Sequence, residues 1–239
     1  MEEWTMEQFQ EEVRRVIEES KKIILTQDQW DSRMRSANIS QWKQAYHSDD
    51  ERIQFRLTYK KEVDFENERF TYFWATKSPF SQWHKCSFKA FFRNVDEPLN
   101  KSDNDEHIFS SAEQYMMYAK AMLFLDRDSA KEILQTKDVR KIKELGRKVK
   151  FFDEPTWDFN KFDIVYLGNK QKFFQNEDLK QVLLETKGTT LVEAAPNDKI
   201  WGIGLTEDDV MAKRRKTWQG KNLLGEILTQ LRFELLERY

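Results

Sequence analysis

The sequence predicts an α+β fold that is predominantly α-helical: a single domain with a small sheet, preceded by an N-terminal helical extension. Three observations point there. Apolar residues recur at helical spacing through most of the long stretches between residues 5 and 237. Two short runs, Phe70-Thr71-Tyr72-Phe73-Trp74 and residues 88–92, are rich in the aromatic and β-branched side chains that strands favour. All seven glycines lie between Gly146 and Gly225, which places the tight turns and close backbone approaches in the C-terminal part.

In chain order, residues 5–25 form an amphipathic helix. Thr5 with Gln8 resembles a capping box, and Met6, Phe9, Val13, Val16, Ile17 and Ile24 make the apolar stripe. Residues 28–47, with Trp30, Met34, Ile39, Trp42 and Tyr46, give one or two shorter helices. Residues 1–66 are read as an extension that docks or makes a homo-oligomer through this stripe, and residues 67–239 as the catalytic domain. The strand at 70–74 runs into a loop, because Pro79 disfavours helix at Ser78. A second strand follows at 88–92, then a polar tip over 100–106, then a short strand ending at Phe109.

The stretch from Phe109 to Lys120 begins a helix. Ser110-x-x-Glu113 fits a capping box, and Ala112, Met116, Ala119 and Leu123 make an apolar stripe. Glu113, Met117, Lys120 and Phe124 share the neighbouring face, with Glu113 and Lys120 about two turns, roughly 10 Å, apart. Two helices follow within 127–147, the second stopped by Gly146. The helical pattern continues through residues 162–167 and is broken at Gly168-Asn169. Residues 177–187 form a helix closed by Gly188, and residues 189–194 have strand character. Pro196-Asn197-Asp198 is a turn signature, and residues 200–205 read as a further strand. The last helix spans 221–237, with Leu223, Leu224, Ile227, Leu228, Leu231 and Leu235 as its stripe.

Composition narrows the function. With 40 basic and 42 acidic residues the net charge is −2, so no global field draws the chain to nucleic acid or membrane. The densest basic run, Lys213-Arg214-Arg215-Lys216, is a local exception. The lone cysteine, Cys86, rules out a disulfide framework within the chain and suggests a reducing, cytoplasmic compartment. No stretch approaches the roughly 18 apolar residues of a membrane span. The three histidines are scattered, so no metal-ligand spacing is present and no cofactor is expected. Gly202-Ile203-Gly204 is not a dinucleotide fingerprint, because position 207 is Glu.

The candidate catalytic residues each have a structural reading as well. Glu113 is accounted for as a cap, Lys120 as a solvated lysine, and Asp198 as a turn residue bonded to its own backbone. Chemically, a lysine beside an apolar face loses its proton by desolvation and becomes a nucleophile, and a nearby carboxylate can manage the protons. Trp83, Trp201 and Trp218 offer flat faces to a heterocycle, or pack in the core.

Five motifs in order carry a resemblance. They are Ser78-Pro79-Phe80-Ser81-x-Trp83, Ser111-Ala112-Glu113-Gln114-Tyr115-Met116-Met117, Gly168-Asn169-x-x-Lys172-Phe173, Asp198-x-Ile200-Trp201-Gly202-Ile203-Gly204-Leu205 and Trp218-x-Gly220-x-Asn222-Leu223-Leu224-Gly225. Over about residues 70–237 the chain resembles the NADAR superfamily of YbiA-like N-glycosidases. The resemblance implies a mostly helical α+β fold and hydrolysis of an N-glycosidic bond. The implied substrates are ribosylamino-pyrimidine phosphates of riboflavin synthesis, or ADP-ribose carried on guanine, free or in nucleic acid. By position it implies Glu113, Lys120 and Asp198 as catalytic, with Lys120 forming a Schiff base to the sugar. It implies Ser81, Trp83, Gln114, Asn169, Trp201, Gly202, Trp218 and Asn222 as substrate-binding. Paired-carboxylate glycoside hydrolysis is the rival mechanism, and a non-catalytic ADP-ribose or nucleotide-binding module is the rival function. The chain departs from the family pattern at Gln82, where many members have Asn, and at Phe174, where they have Ser. A basic run ending in Lys216-Thr217 replaces the usual Asn-Pro before the final Trp.

Overall fold

A computed structural model of the chain describes residues 57–92 and 106–237. The helices expected at 5–25 and 28–47, and the polar tip expected over 100–105, lie outside the described residues.

Helix α1 (Ala112–Leu123) lies at the centre, with ten of its twelve residues buried. Its start differs from the sequence expectation by one residue. Ser111 is the N-cap, and its Oγ accepts from Gln114 N at 3.2 Å. Gln114, not Glu113, reaches back: its Oε1 accepts from Ser110 N at 2.7 Å and Ser110 Oγ at 2.9 Å. The cap therefore makes no use of the Glu113 side chain.

Three helices pack around α1: α2 (Arg127–Gln135), α3 (Val139–Arg147) and α4 (Glu154–Gln175). Each starts on an aspartate cap, Asp126, Asp138 and Asp153 respectively. Gly146 falls inside the last turn of α3, where a Cβ would lie 1.9 Å from Met117 Sδ, so the Met117 side chain of α1 packs directly on the bare backbone of α3. The expected break at Gly168-Asn169 does not occur, and α4 runs through it for 22 residues. The glycine serves packing: a Cβ at 168 would lie 2.5 Å from Tyr115 Cδ1 on α1.

The strands form two separate pairs. β1 (Phe70–Phe73) pairs in parallel with β4 (Thr190–Glu193), with Phe73 opposite Glu193. β2 (Phe88–Ala90) pairs antiparallel with β3 (His107–Phe109). Helix α5 (Glu177–Glu185) precedes β4, and Gly188 between them takes φ +80°. The last helix, α6 (Leu223–Leu236), packs on β4, α4 and α5.

Residues 200–205 do not form the expected strand. They run as turns whose backbone is met by the chain before and within α6: Gln219 N donates to Ile203 O, Asn222 N to Gly202 O and Leu224 N to Trp201 O, at 2.9 to 3.1 Å. Gly202 and Gly220 allow this approach, since a Cβ at 220 would lie 2.3 Å from Gly202 O. Asn222, at φ +55°, works as a strand substitute beside β4. Its Oδ1 accepts from Glu193 N and its Nδ2 donates to Leu191 O, both at 2.9 Å. Residues 57–66, grouped with the extension on sequence grounds, include Leu57 and Tyr59, both buried; Tyr59 donates to Glu226 on α6. Among the described residues no helix is long and apolar enough to cross a membrane.

Candidate active site

The loop over residues 78–84 is fixed from two helices. Glu113 N donates to Gln82 O at 2.8 Å, which anchors the loop to the start of α1. From α4, Asn169 Nδ2 donates to Gln82 Oε1 at 2.8 Å, and Lys172 Nζ donates to Pro79 O at 2.7 Å and Ser81 O at 2.9 Å. Lys172 is fully buried, and burial pushes its ammonium down to about 8. This clamp holds Trp83 where its indole hydrogen-bonds the carboxyl group of Glu113.

Glu113 is only 3% exposed, and its Oε1 has no hydrogen-bond partner. Burial raises its carboxyl to about 7, against the opposing charge of Lys143 and the bond from Trp83; Asp198 raises it further and Arg147 lowers it. A second carboxylate, Glu193 at the end of β4, is half-buried with Oε2 sealed from solvent and unpartnered. Burial, with the charges of Asp198 and Glu113, raises it to about 8, and Lys143 opposes. Asp198 sits in the turn after β4, where its Oδ1 accepts from Ile200 N at 2.9 Å and Trp201 N at 2.8 Å. It therefore serves the turn and also bears on both buried carboxyls.

Helix α3 lies across this group. Lys143 reaches over the Trp83 ring, 5.2 Å from its centroid. Three residues on, Gly146 O accepts from Lys120 Nζ at 3.0 Å. Lys120 also lies over the rings of Phe152, at 4.2 Å, and Trp157, at 5.4 Å. It is half-buried there, and burial lowers its ammonium from the usual lysine value. Lys120 thus bonds a carbonyl on an aromatic shelf, while Glu113 lies two turns away among the acids. The end of α3 spans the two, with Gly146 at Lys120 and the charge of Arg147 acting on Glu113.

The expected binding residues separate into two sets. Trp83 touches Glu113, and Trp201 follows Asp198 in its turn. The others are used by the fold. Ser81 Oγ accepts from Trp83 N at 3.1 Å. Gln114 Nε2 donates to Ile133 O and Thr136 O at the end of α2. Asn169 holds Gln82, although its own Oδ1 lacks a partner. Gly202 admits the Glu193 carbonyl, Asn222 supports β4, and Trp218 Nε1 donates to Ala212 O at 2.8 Å. Glu193, Lys143, Arg147 and the aromatic shelf were missed on sequence grounds. Glu193 had a visible signal, a glutamate closing an otherwise apolar strand. Lys143 and Arg147 had none, being two of many charges on an amphipathic helix. Among the described residues no three His, Cys, Asp or Glu side chains are grouped to hold a metal ion.

The NADAR domain model matches residues 72–236. N-glycosidase R617 of Acanthamoeba polyphaga mimivirus is 48% identical over 155 residues, covering 65% of this chain and 86% of the relative. The chloroplastic riboflavin biosynthesis protein PYRR of Zea mays is 36% identical over 114 residues, 46% of this chain and 16% of that protein. The NMR structure of the E. coli protein YbiA superposes with a TM-score of 0.53 at 24% identity, covering 72% of this chain and 87% of that one, a likeness of fold.

Proposed function

We propose a function from one premise: the chain belongs to the NADAR domain family. It is an N-glycosidase, hydrolysing the bond between a sugar carbon and the nitrogen of a heterocycle. The mimivirus relative carries that activity in its name. The observation that supports it most directly is Glu113, a buried carboxyl raised to about 7 with one oxygen that has no hydrogen-bond partner among the described residues. N-glycoside hydrolysis needs a group that both gives and takes a proton near neutral pH, because the leaving nitrogen gains one and the attacking water loses one. A module that only bound ADP-ribose or a nucleotide would need no carboxyl poised in this way.

In this reading Glu113 and Asp198 manage the protons. Lys120, its charge disfavoured by burial against Phe152 and Trp157, attacks the sugar C1 as a neutral amine and forms a Schiff base. Trp83 and Trp201 border the acids and shape the pocket for the base. The substrate is a ribosylated or ADP-ribosylated heterocycle. The name of the maize relative supports a riboflavin-pathway ribosylamino-pyrimidine phosphate; ADP-ribosyl guanine is the alternative, and an assay for released ribose phosphate against released ADP-ribose separates them.

Borohydride added during turnover tests the covalent step. A sugar adduct on Lys120 is expected, and Lys120→Ala loses about 100-fold or more in rate. Undiminished hydrolysis by Lys120→Ala would remove that residue from the mechanism.

A further inference from the structure

We propose that Glu193 is a further catalytic residue, the proton donor to the departing nitrogen, paired with Glu113 as the base that takes the proton from water. The proposal rests on the N-glycosidase reading above. Its ground is geometric. Two glutamates from unconnected elements, the end of β4 and the first turn of α1, each place a sealed oxygen with no hydrogen-bond partner in one acidic group. Buried carboxyl oxygens are satisfied in most proteins, so two unpartnered ones on carboxyls close enough for the charge of Glu113 to act on Glu193 point to a ligand that supplies the missing bonds.

The fold also invests in placing Glu193. It lies opposite Phe73 of β1, where the next residue's N–H, that of Ala194, donates to Phe73 O, and its own N–H donates to Asn222 Oδ1 at 2.9 Å. Its carbonyl accepts from Ile203 N at 2.9 Å, and Gly202 is bare where a Cβ would approach that same carbonyl to 2.8 Å. The groups facing the pair are Asp198 from the following turn, Lys143 and Arg147 from α3, and the Trp83 indole from the clamped loop. Among the described residues the cation that opposes the rise at Glu193 is Lys143, whose charge also acts on Glu113.

Burial raises both carboxyls, to about 7 for Glu113 and about 8 for Glu193, and the charge of Glu113 helps Glu193 keep its proton. Near neutral pH the pair therefore holds one neutral and one ionised carboxyl, the arrangement an acid and a base need. In net reaction the C1–N bond breaks with its electron pair on nitrogen, which takes the Glu193 proton. The oxygen of water bonds to C1, and its proton goes to Glu113. Proton return from Glu113 to Glu193 restores the pair, and Lys120 is a free amine before and after.

The test is the pH dependence of sugar release by the full chain, from about pH 5 to about pH 10, using whichever of the two candidate substrates the wild type hydrolyses. Wild-type kcat should rise through about 7 and fall through about 8. Glu193→Gln should lose about 100-fold or more in kcat, lose the alkaline fall, and keep KM within about threefold. Glu113→Gln should lose about 100-fold or more in kcat and keep the alkaline fall, a readout that stands even if Glu193→Gln does not fold. An alkaline fall that survives in Glu193→Gln, or vanishes in Glu113→Gln, overturns this proposal alone. No sugar release by the wild type from either substrate overturns the N-glycosidase reading, and this proposal with it.

Discussion

At the scale of the residue, the structure turns on what Glu113 is not doing. The sequence offered it a cap, and the cap is made by Ser111 and Gln114 instead. A carboxyl released from local duty and then buried stores a pH dependence. Its value in the fold, about 7, lies above the 4.5 of an exposed glutamate. Below about 4.5 it is neutral in both folded and unfolded chains, and its contribution to stability is complete; that contribution is lost as pH rises through about 7. Above that, the ionised buried group is a fixed cost of about 3 kcal/mol. Glu113→Gln should accordingly melt close to the wild type at pH 4 and well above it at pH 8, in scanning calorimetry across that range. A melting difference that does not change with pH would show that Glu113 is not held neutral by the fold.

At the scale of the element, the loop over residues 78–84 and helix α4 act together. Lys172 satisfies the Pro79 and Ser81 carbonyls from inside the fold. Lys172→Met leaves the Pro79 carbonyl without its donor, at about 1–3 kcal/mol, and the Ser81 carbonyl with only His84 N at 3.2 Å. It should lower the urea midpoint and also cut kcat by about tenfold or more, because the loop carries Trp83 against Glu113. Loss of stability with full activity would separate the clamp from the site. Gly168→Ala tests the other contact of α4. Its Cβ would press on the Tyr115 ring, so a loss of about 1–3 kcal/mol is expected by chemical denaturation.

These elements also mark how far the sequence could be read. Apolar period located α1 to α3, α5 and α6, since one buried stripe imposes its spacing on the residues. Period does not tell which residues press on a helix from outside. Gly168 therefore looked like a breaker when it was a contact, and Gly202-Ile203-Gly204 read as a strand whose glycines admit a neighbouring backbone or a flat ligand; the strand does not form, while the glycines do admit residues 219–222. At the site, Glu113 stood out as an ionisable residue on the face next to the apolar stripe of α1. Glu193 meets the same description in β4 but is a partner only through non-local packing, and local pattern carries no such information.

At the scale of the whole molecule, the described fold begins at Leu57. Leu57 and Tyr59 are buried, and Tyr59 and Lys60 reach Glu226 on α6, which Arg215 also pairs. We propose that residues 1–56 are dispensable for hydrolysis. A chain starting at residue 57 should keep kcat/KM within about threefold, whereas one starting at residue 67 should lose about 3–5 kcal/mol of stability with its two buried side chains. Full stability in the shorter chain would show that the contacts with α6 contribute nothing.

The central claim is that the acids gathered at the start of α1 cleave an N-glycosidic bond. The most direct measurement is sugar release from a ribosylamino-pyrimidine phosphate and from ADP-ribosyl guanine, by the wild type and by Glu113→Gln side by side. The account predicts free sugar from at least one substrate with the wild type, and a rate about 100-fold or more lower with a folded Glu113→Gln. Equal rates for the two proteins, or no release from either substrate, would contradict it.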